Sequence, residues 1–332
     1  MKNFKILRTI IGFIVSGILV YLILQKINFA ETMTALQLAN YKLVVWASCA
    51  ALAINTLRSL RWRYLVENHQ LLPSRFFMKA FFLGFLANSV LPARLGEIVR
   101  AKSLGNLSKT VIKTGGTKSL SSIFIERILD GLILLSLFIA LALFYPVPTW
   151  MKRVACIAGI IFVSLLCFII LVLAYKGIIY RILRRIVFWL SEDVQVRVLN
   201  KFNWFTEGLA IIKHRPNMIR FLISSILIWS IEGLIIFVFI RSLNIDVPVI
   251  SAYFVMIFIG FGIAVPSAPG YVGVYQFMCI KALSIWGVNE SFALTFSLVM
   301  QFATFIPMNL IGLGIFIFSQ MPFSYQVTSE TN

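Results

Sequence analysis

The chain has 332 residues, 60% of them hydrophobic and only 13% charged, with a formal net charge of +18. A soluble domain averages about 45–50% apolar and about 25% charged residues, and here the apolar excess recurs from end to end, which excludes a soluble globular protein and leaves no room for a separate soluble catalytic domain beside one polytopic bundle. The 30 Lys and Arg lie mostly in loops between apolar runs, the positive-inside pattern of a membrane protein rather than a nucleic-acid footprint.

In chain order, Lys2, Lys5 and Arg8 precede an apolar run that ends near Leu24, followed by Gln25-Lys26-Ile27 instead of a small-residue cleavage site. This predicts a retained first transmembrane helix with a cytoplasmic N-terminus. Further apolar runs fall at 43–57, 76–91, 121–145, 154–174, 219–240, 249–265, 271–286 and 291–318. A full span needs about 20 residues, so 76–91, 249–265 and 271–286 are short. Basic residues flank 76–91 on both sides (Arg58, Arg61, Arg63, Arg75 and Lys79 before, Arg100, Lys102, Lys109, Lys113 and Lys118 after). A re-entrant hairpin turning near Pro92 keeps both flanks cytoplasmic. A second hairpin, entered from the other side, is expected around Pro266-Ser267-Ala268-Pro269-Gly270. Hairpin plus helix (76–145) then recurs inverted as 249–318, an arrangement typical of transporters. A model in which every run crosses fully remains the alternative.

Between these units, residues 176–218 form a basic helical segment. Apolar positions from Ile178 to Ile186 at helical spacing alternate with Lys176, Arg181, Arg184 and Arg185, and a second helix is expected from about Val194 to Ile212. The segment either lies in the membrane interface or packs on the bundle from the cytoplasm. The expected fold is all-α: a polytopic transmembrane helical bundle of roughly six to nine membrane segments. It forms a single membrane domain over 1–320, with a short cytoplasmic tail at 321–332, in the cell (inner) membrane.

Two breaks of the form Pro-x-x-x-Gly, Pro92 to Gly96 and Pro269 to Gly273 (with Gly270 between), interrupt apolar runs. Backbone that leaves a helix inside hydrocarbon survives only where protein or a watery cavity surrounds it, and paired breaks in corresponding halves point to a binding site between them. Three polar constellations lie in or beside apolar runs. Asn88 precedes Arg94, Glu97 and Arg100, which are spaced to share one helix face and pair. Glu126, Arg127 and Asp130 begin the 121–145 helix. Glu232 stands alone in its run. A charge at the bilayer centre costs about 2.5–3.5 kcal/mol, so Arg94 and Arg127 are expected to meet Glu97, Asp130 or Glu232 in an interior cavity. The plainer possibility is that Glu126 and Arg127 snorkel at the interface. Guanidinium groups match phosphate and helix N-termini attract anions, so an anionic headgroup, phosphate or pyrophosphate is the natural ligand class. The acids would position the arginines or take up protons.

Enzyme and metal readings find little support. Gly115-Gly116-Thr117-Lys118-Ser119 only echoes a P-loop, and H-E-x-x-H and G-x-S-x-G are absent from the sequence. His69 and His214 lie far apart in loops, and no metal or cofactor is expected. Cys49, Cys156, Cys167 and Cys279 lie in apolar runs and are expected to be buried free thiols.

The string from Asn88 through Pro92-Ala93-Arg94-Leu95-Gly96-Glu97-Ile98-Val99-Arg100, then Glu126-Arg127-Ile128-Leu129-Asp130-Gly131, then Pro266-Ser267-Ala268-Pro269-Gly270-Tyr271-Val272-Gly273-Val274-Tyr275-Gln276, resembles the lysylphosphatidylglycerol synthase transmembrane (flippase-like) family. Order and spacing agree over nearly the whole chain. In that family the membrane domain of full synthases is taken to flip aminoacylated phospholipid, which a soluble aminoacyltransferase domain makes. The resemblance implies a standalone translocator without that enzyme half. Many relatives carry Glu where this chain has Gln276; if that Glu binds a cationic headgroup or a proton, the resemblance implies a different lipid here. The expected function is translocation of a phospholipid or polyprenyl-phosphate-linked lipid with an anionic or zwitterionic headgroup. The alternatives are a membrane enzyme or an accessory subunit of lipid-linked glycan or aminoacyl-lipid synthesis. Homo-oligomerisation and a synthase partner stay open.

Overall fold

Long apolar runs with few charges can satisfy their backbone groups in a membrane only as helices, and helices are what the computed structural model contains. It describes residues 14–25, 28–66, 71–91, 95–108, 116–263 and 267–319, with no strand among them. Pro92, Arg94, Pro266, the basic N-terminus and the 321–332 tail lie outside the described residues. In order, the helices are α1 (Ile14–Leu24), α2 (Phe29–Gln37), α3 (Tyr41–Arg61), α4 (Ser74–Val90), α5 (Gly96–Ser108), α6 (Gly116–Ala142) and α7 (Thr149–Ala174), then α8 (Lys176–Ile186), α9 (Glu192–Leu209), α10 (Arg215–Ser242), α11 (Ile250–Ile263), α12 (Val274–Leu283) and α13 (Glu290–Phe318). The short helix α2 falls in a stretch whose sequence carries no sustained apolar run.

Among the described residues, four helices are long and apolar enough to cross a bilayer: α3 with its 3₁₀ extension to Leu65, α7, α10 and α13. The 27 residues of α6 also suffice in length, but the helix carries Lys118, Glu126, Arg127 and Asp130. Helix α7 buries only Met151, Ala155, Ile169 and Val172 and turns Ile157, Ile160, Ile161 and Phe168 outward. That outward belt is what a lipid solvent demands. The cysteines follow the same logic, which corrects the expectation of four buried thiols. Cys279 alone is buried, whereas Cys49, Cys156 and Cys167 face outward.

Helices α4 and α5 form an antiparallel pair, as do α11 and α12. With 17, 13, 14 and 10 residues, they rise about 25, 20, 21 and 15 Å, each less than the roughly 30 Å hydrocarbon thickness. Glycines let the first pair touch. A Cβ on Gly96 would lie 2.1 Å from the Gly84 carbonyl oxygen, and one on Gly84 would lie 2.8 Å from Arg100 Cβ. We therefore expect Gly96→Val to splay α4 from α5 and lower the unfolding temperature of purified protein, by about 1–3 kcal/mol of overpacking. Gly314→Ala, which meets nothing within 4 Å, serves as the unchanged control.

Each hairpin leads into a long helix, and the two units run in opposite senses. Helix α6 is antiparallel to α3: the first half of α3 shares a core with Leu134 and Phe138, whereas Trp62 and Leu65 beyond its end share one with Ile123 and Ile125 near the start of α6. Helix α13 is parallel to α3: Ser48 donates to the Ala303 carbonyl, and Leu52 packs in one cluster with Met308. Helix α4 lies antiparallel to α13 through Phe85–Phe305 and the close approach of Gly312 to Phe82. Helix α11 lies antiparallel to α6 through Tyr145–Phe254 and Phe138–Phe261. Thus α4 and α6 point one way and α11 and α13 the other, and each hairpin packs on the long helix of the opposite unit. Pro307, inside α13, has no N–H for the carbonyl four residues back. That carbonyl belongs to Ala303, and Ser48 of α3 supplies the missing donor.

Two apolar cores result. One gathers the first half of α3, the C-terminal halves of α6 and α10, and α11 to α13. The other gathers Trp62 and Leu65 after α3, Phe77 of α4, Leu104 of α5, Ile125 of α6 and Phe221 of α10. Arg58 and Arg61 of α3, Glu126, Arg127 and Asp130 of α6 and Glu232 of α10 fall at the seam between them.

Candidate functional site

At that seam four arginines meet four carboxylates. Arg61, at the last turn of α3, is buried and donates to both neighbours on α6. Its Nη1 lies 2.7 Å from Asp130 Oδ1 and 2.8 Å from Ser225 Oγ, and its Nη2 lies 2.9 Å from Asp130 Oδ2 and 3.0 Å from Glu126 Oε1. Glu126 also takes Arg100 of α5, whose Nη1 sits 2.8 Å from Glu126 Oε2. Arg127 turns the other way and donates to Glu97 Oε1 at 2.6 Å. Arg58, one turn before Arg61, pairs with Glu232 of α10. The charges among these eight groups cancel. Aromatic faces shield three of the guanidinium groups: Arg100 lies 3.9 Å from the Trp62 ring centroid, Arg61 4.6 Å from Phe221 and Arg58 4.8 Å from Trp229. Trp229 also donates to Asp130.

The pairs divide by exposure. The Arg61–Glu126–Arg100 chain is sealed, with each of these side chains at most 3% exposed. Arg127 and Glu97 are 49% and 21% exposed, and Arg58 and Glu232 are 16% and 24%. Both half-open pairs border one cavity of about 430 Å³, into which Asn88, Asp130 and Tyr271 also face. Asn88 on α4 and Tyr271 beside α12 bring the tips of both hairpins to its wall.

The tips are held by side-chain amides. Asn88 Oδ1 accepts the Gly96 N–H at 2.8 Å, closing the first hairpin. In the second, Gly270 (φ +70°) and Gly273 (φ +84°) take left-handed turns that glycine adopts without a Cβ clash. Gln276 Oε1 accepts the Gly273 N–H, its amide donates to Gln301, and Gln301 donates to the Gly270 carbonyl at 2.7 Å. Inside a membrane, these bonds stand in for those the helices have lost.

The structure therefore redraws several expected partnerships. Glu97 does meet Arg127, as expected. Asp130 and Glu232, however, take Arg61 and Arg58, and Arg100 pairs with Glu126 rather than with Glu97 on its own helix. Glu126 is sealed in the seam instead of snorkelling. Arg100, Glu126 and Gln276 stand behind the cavity wall and brace it. Arg94 lies outside the described residues. Arg58 and Arg61 read in the sequence as cytoplasmic loop charges because the apolar run stops at residue 57, whereas α3 continues one turn further. The available signal was a deficit of cations: the four acids Glu97, Glu126, Asp130 and Glu232 faced only the three arginines Arg94, Arg100 and Arg127.

Among the described residues, no cluster of His, Cys, Asp or Glu could hold a metal ion.

The sequence family described as Lysylphosphatidylglycerol synthase TM region matches residues 9–312. The chain belongs to this family. Within the lysylphosphatidylglycerol synthase TM family, the chain is similar to a UPF0104 membrane protein of Methanothermobacter thermautotrophicus, at 26% identity and 92% coverage of both chains. A second UPF0104 membrane protein, from Methanocaldococcus jannaschii, is 25% identical over 69% of this chain and 92% of its own. No solved structure matches. The family match and the outward apolar belts together establish an integral membrane protein.

Proposed function

We propose that this protein is a lipid translocator whose headgroup site is the cavity between the two hairpin tips. The observation that carries the reading is the meeting of two interrupted helical segments and two half-open ion pairs at one wall. Paired breaks around a polar cavity are how membrane carriers expose backbone and charge to a substrate without exposing them to lipid. The cavity volume falls within the range of about 300–1,000 Å³ typical of small-ligand sites. In this reading both hairpins are re-entrant, the termini are cytoplasmic, and acyl chains stay in the bilayer while the headgroup passes.

Charge balance narrows the ligand. Each wall arginine already holds a carboxylate, so a phosphate alone would have to expel one. A headgroup carrying a phosphate and an ammonium can take Arg127 with one end and Glu97 or Glu232 with the other, leaving no charge unmatched. Zwitterionic phospholipids therefore fit better than purely anionic ones.

The test is leaflet exchange in vesicles containing the purified full chain. Fluorescent phosphatidylethanolamine is expected to move between leaflets faster than in protein-free vesicles, and faster than fluorescent phosphatidylglycerol. A new covalent lipid product would instead indicate an enzyme of lipid-linked glycan or aminoacyl-lipid synthesis. Exchange no faster than in empty vesicles, for either lipid, would remove the proposal.

A further inference from the structure

Helix α8 starts two residues after the membrane-crossing helix α7 ends at Ala174, so it leaves the bundle at the bilayer surface. None of its residues is buried. At 100° per residue, Ile178, Ile182 and Ile186 share one stripe, and all three are exposed. Arg181, Arg184 and Arg185 lie along the adjoining side, and no acid occurs between residues 176 and 190. The following 3₁₀ turn, Val187–Trp189, points Phe188 and Trp189 outward, with Trp189 89% exposed.

The support beneath is firm. Helix α9 packs on α6: a Cβ on Gly208 would lie 1.9 Å from Ser121 Oγ, and Lys118 reaches Glu207 at 2.8 Å. That lysine holds the Glu207 carboxyl below its ordinary range through a hydrogen bond. Tyr180 of α8 leans on Phe202 of α9, so α8 is fixed by one side while its isoleucine stripe and the Phe188–Trp189 corner have no protein cover among the described residues.

We propose that α8 and the Phe188–Trp189 corner form a docking surface for an anionic lipid leaflet. Isoleucines and aromatic rings enter the headgroup–acyl boundary and the three arginines meet lipid phosphates and carboxylates. The choice of lipid over a protein partner rests on three facts: the surface continues directly from a membrane span, it is purely basic, and its apolar stripe ends in aromatic residues of the kind that settle at bilayer interfaces. This surface is separate from the cavity and does not depend on the translocator reading.

The experiment places Ile182→Cys in a full-length chain whose four native cysteines are replaced, labels it with an environment-sensitive fluorophore, and reconstitutes it in vesicles containing lipid-borne quencher. In vesicles with phosphatidylglycerol the label is expected to be quenched and sheltered from a water-soluble quencher. In phosphatidylcholine alone the quenching should fall several-fold, and Arg181→Gln, Arg184→Gln and Arg185→Gln together should lower it similarly in the anionic vesicles. A label open to water in both compositions would overturn the proposal, as would lipid quenching indifferent to lipid charge and to the arginines, or shelter that grows with protein density and marks a second copy. The label at Val196, exposed on α9, reports whether a variant has simply misfolded, because its signal should not change.

Discussion

Arg61→Met is expected to destabilise the folded protein by about 3–5 kcal/mol. The side chain is sealed and its two terminal nitrogens make four hydrogen bonds to Asp130, Glu126 and Ser225. Removing it leaves Asp130 without its salt-bridge partner and Glu126 with Arg100 alone, in a region from which water is largely excluded. Breaking a buried pair by deleting one partner costs roughly 3–5 kcal/mol, a large part of a typical stability of about 5–15 kcal/mol. Size-exclusion profiles and unfolding temperatures of detergent-purified protein read the effect. Adding Asp130→Asn restores the balance of charges and should recover part of the loss, and this is what separates an electrostatic fault from a packing one. A monodisperse Arg61→Met protein as heat-stable as the parent would show that the seam charges do not hold the bundle together.

Opening the cavity-side pair should have the opposite profile. Arg127 is half exposed, so Arg127→Gln or Glu97→Gln should cost about 1 kcal/mol of stability or less, as for other exposed pairs. If these groups grip the two ends of a headgroup, each variant loses a charge-assisted bond worth about 1.5–3 kcal/mol, which is a roughly ten- to hundredfold slower leaflet exchange. Normal insertion with exchange lost supports the site. Exchange at the parental rate in both variants would place the substrate path elsewhere.

Helicity, membrane residence and the two broken segments were legible in the sequence because each has a local signature: uninterrupted apolar runs, and Pro and Gly where helices stop. Partner choice was not. Glu97 and Arg127 are 30 residues apart, and Arg58 and Glu232 are 174 apart, so nothing local joins them. The spacing of Glu97 and Arg100 suggested a pair on one helix, yet α5 lies between α4 and α6, and Arg100 turns to Glu126. The cysteines misled for another reason. In a bilayer an apolar position can face outward as comfortably as inward, so hydrophobicity alone does not predict burial. Gln276 could be located by its place after Gly273, but its job of holding the turn depends on Gln301, supplied by another helix.

The proline in α13 changes what kind of element that helix is. Its Ala303 carbonyl is answered by a hydroxyl on a neighbour instead of by its own backbone, just before the Thr304, Phe305 and Met308 side chains that border the cavity. A hydroxyl can be traded for a water molecule at little cost, whereas a helical N–H cannot leave without unwinding its turn. The proline therefore moves one rung of α13 out of the helix and into its contact with α3, so that Ser48→Ala would leave a carbonyl beside the cavity without its donor and loosen the two helices at that level.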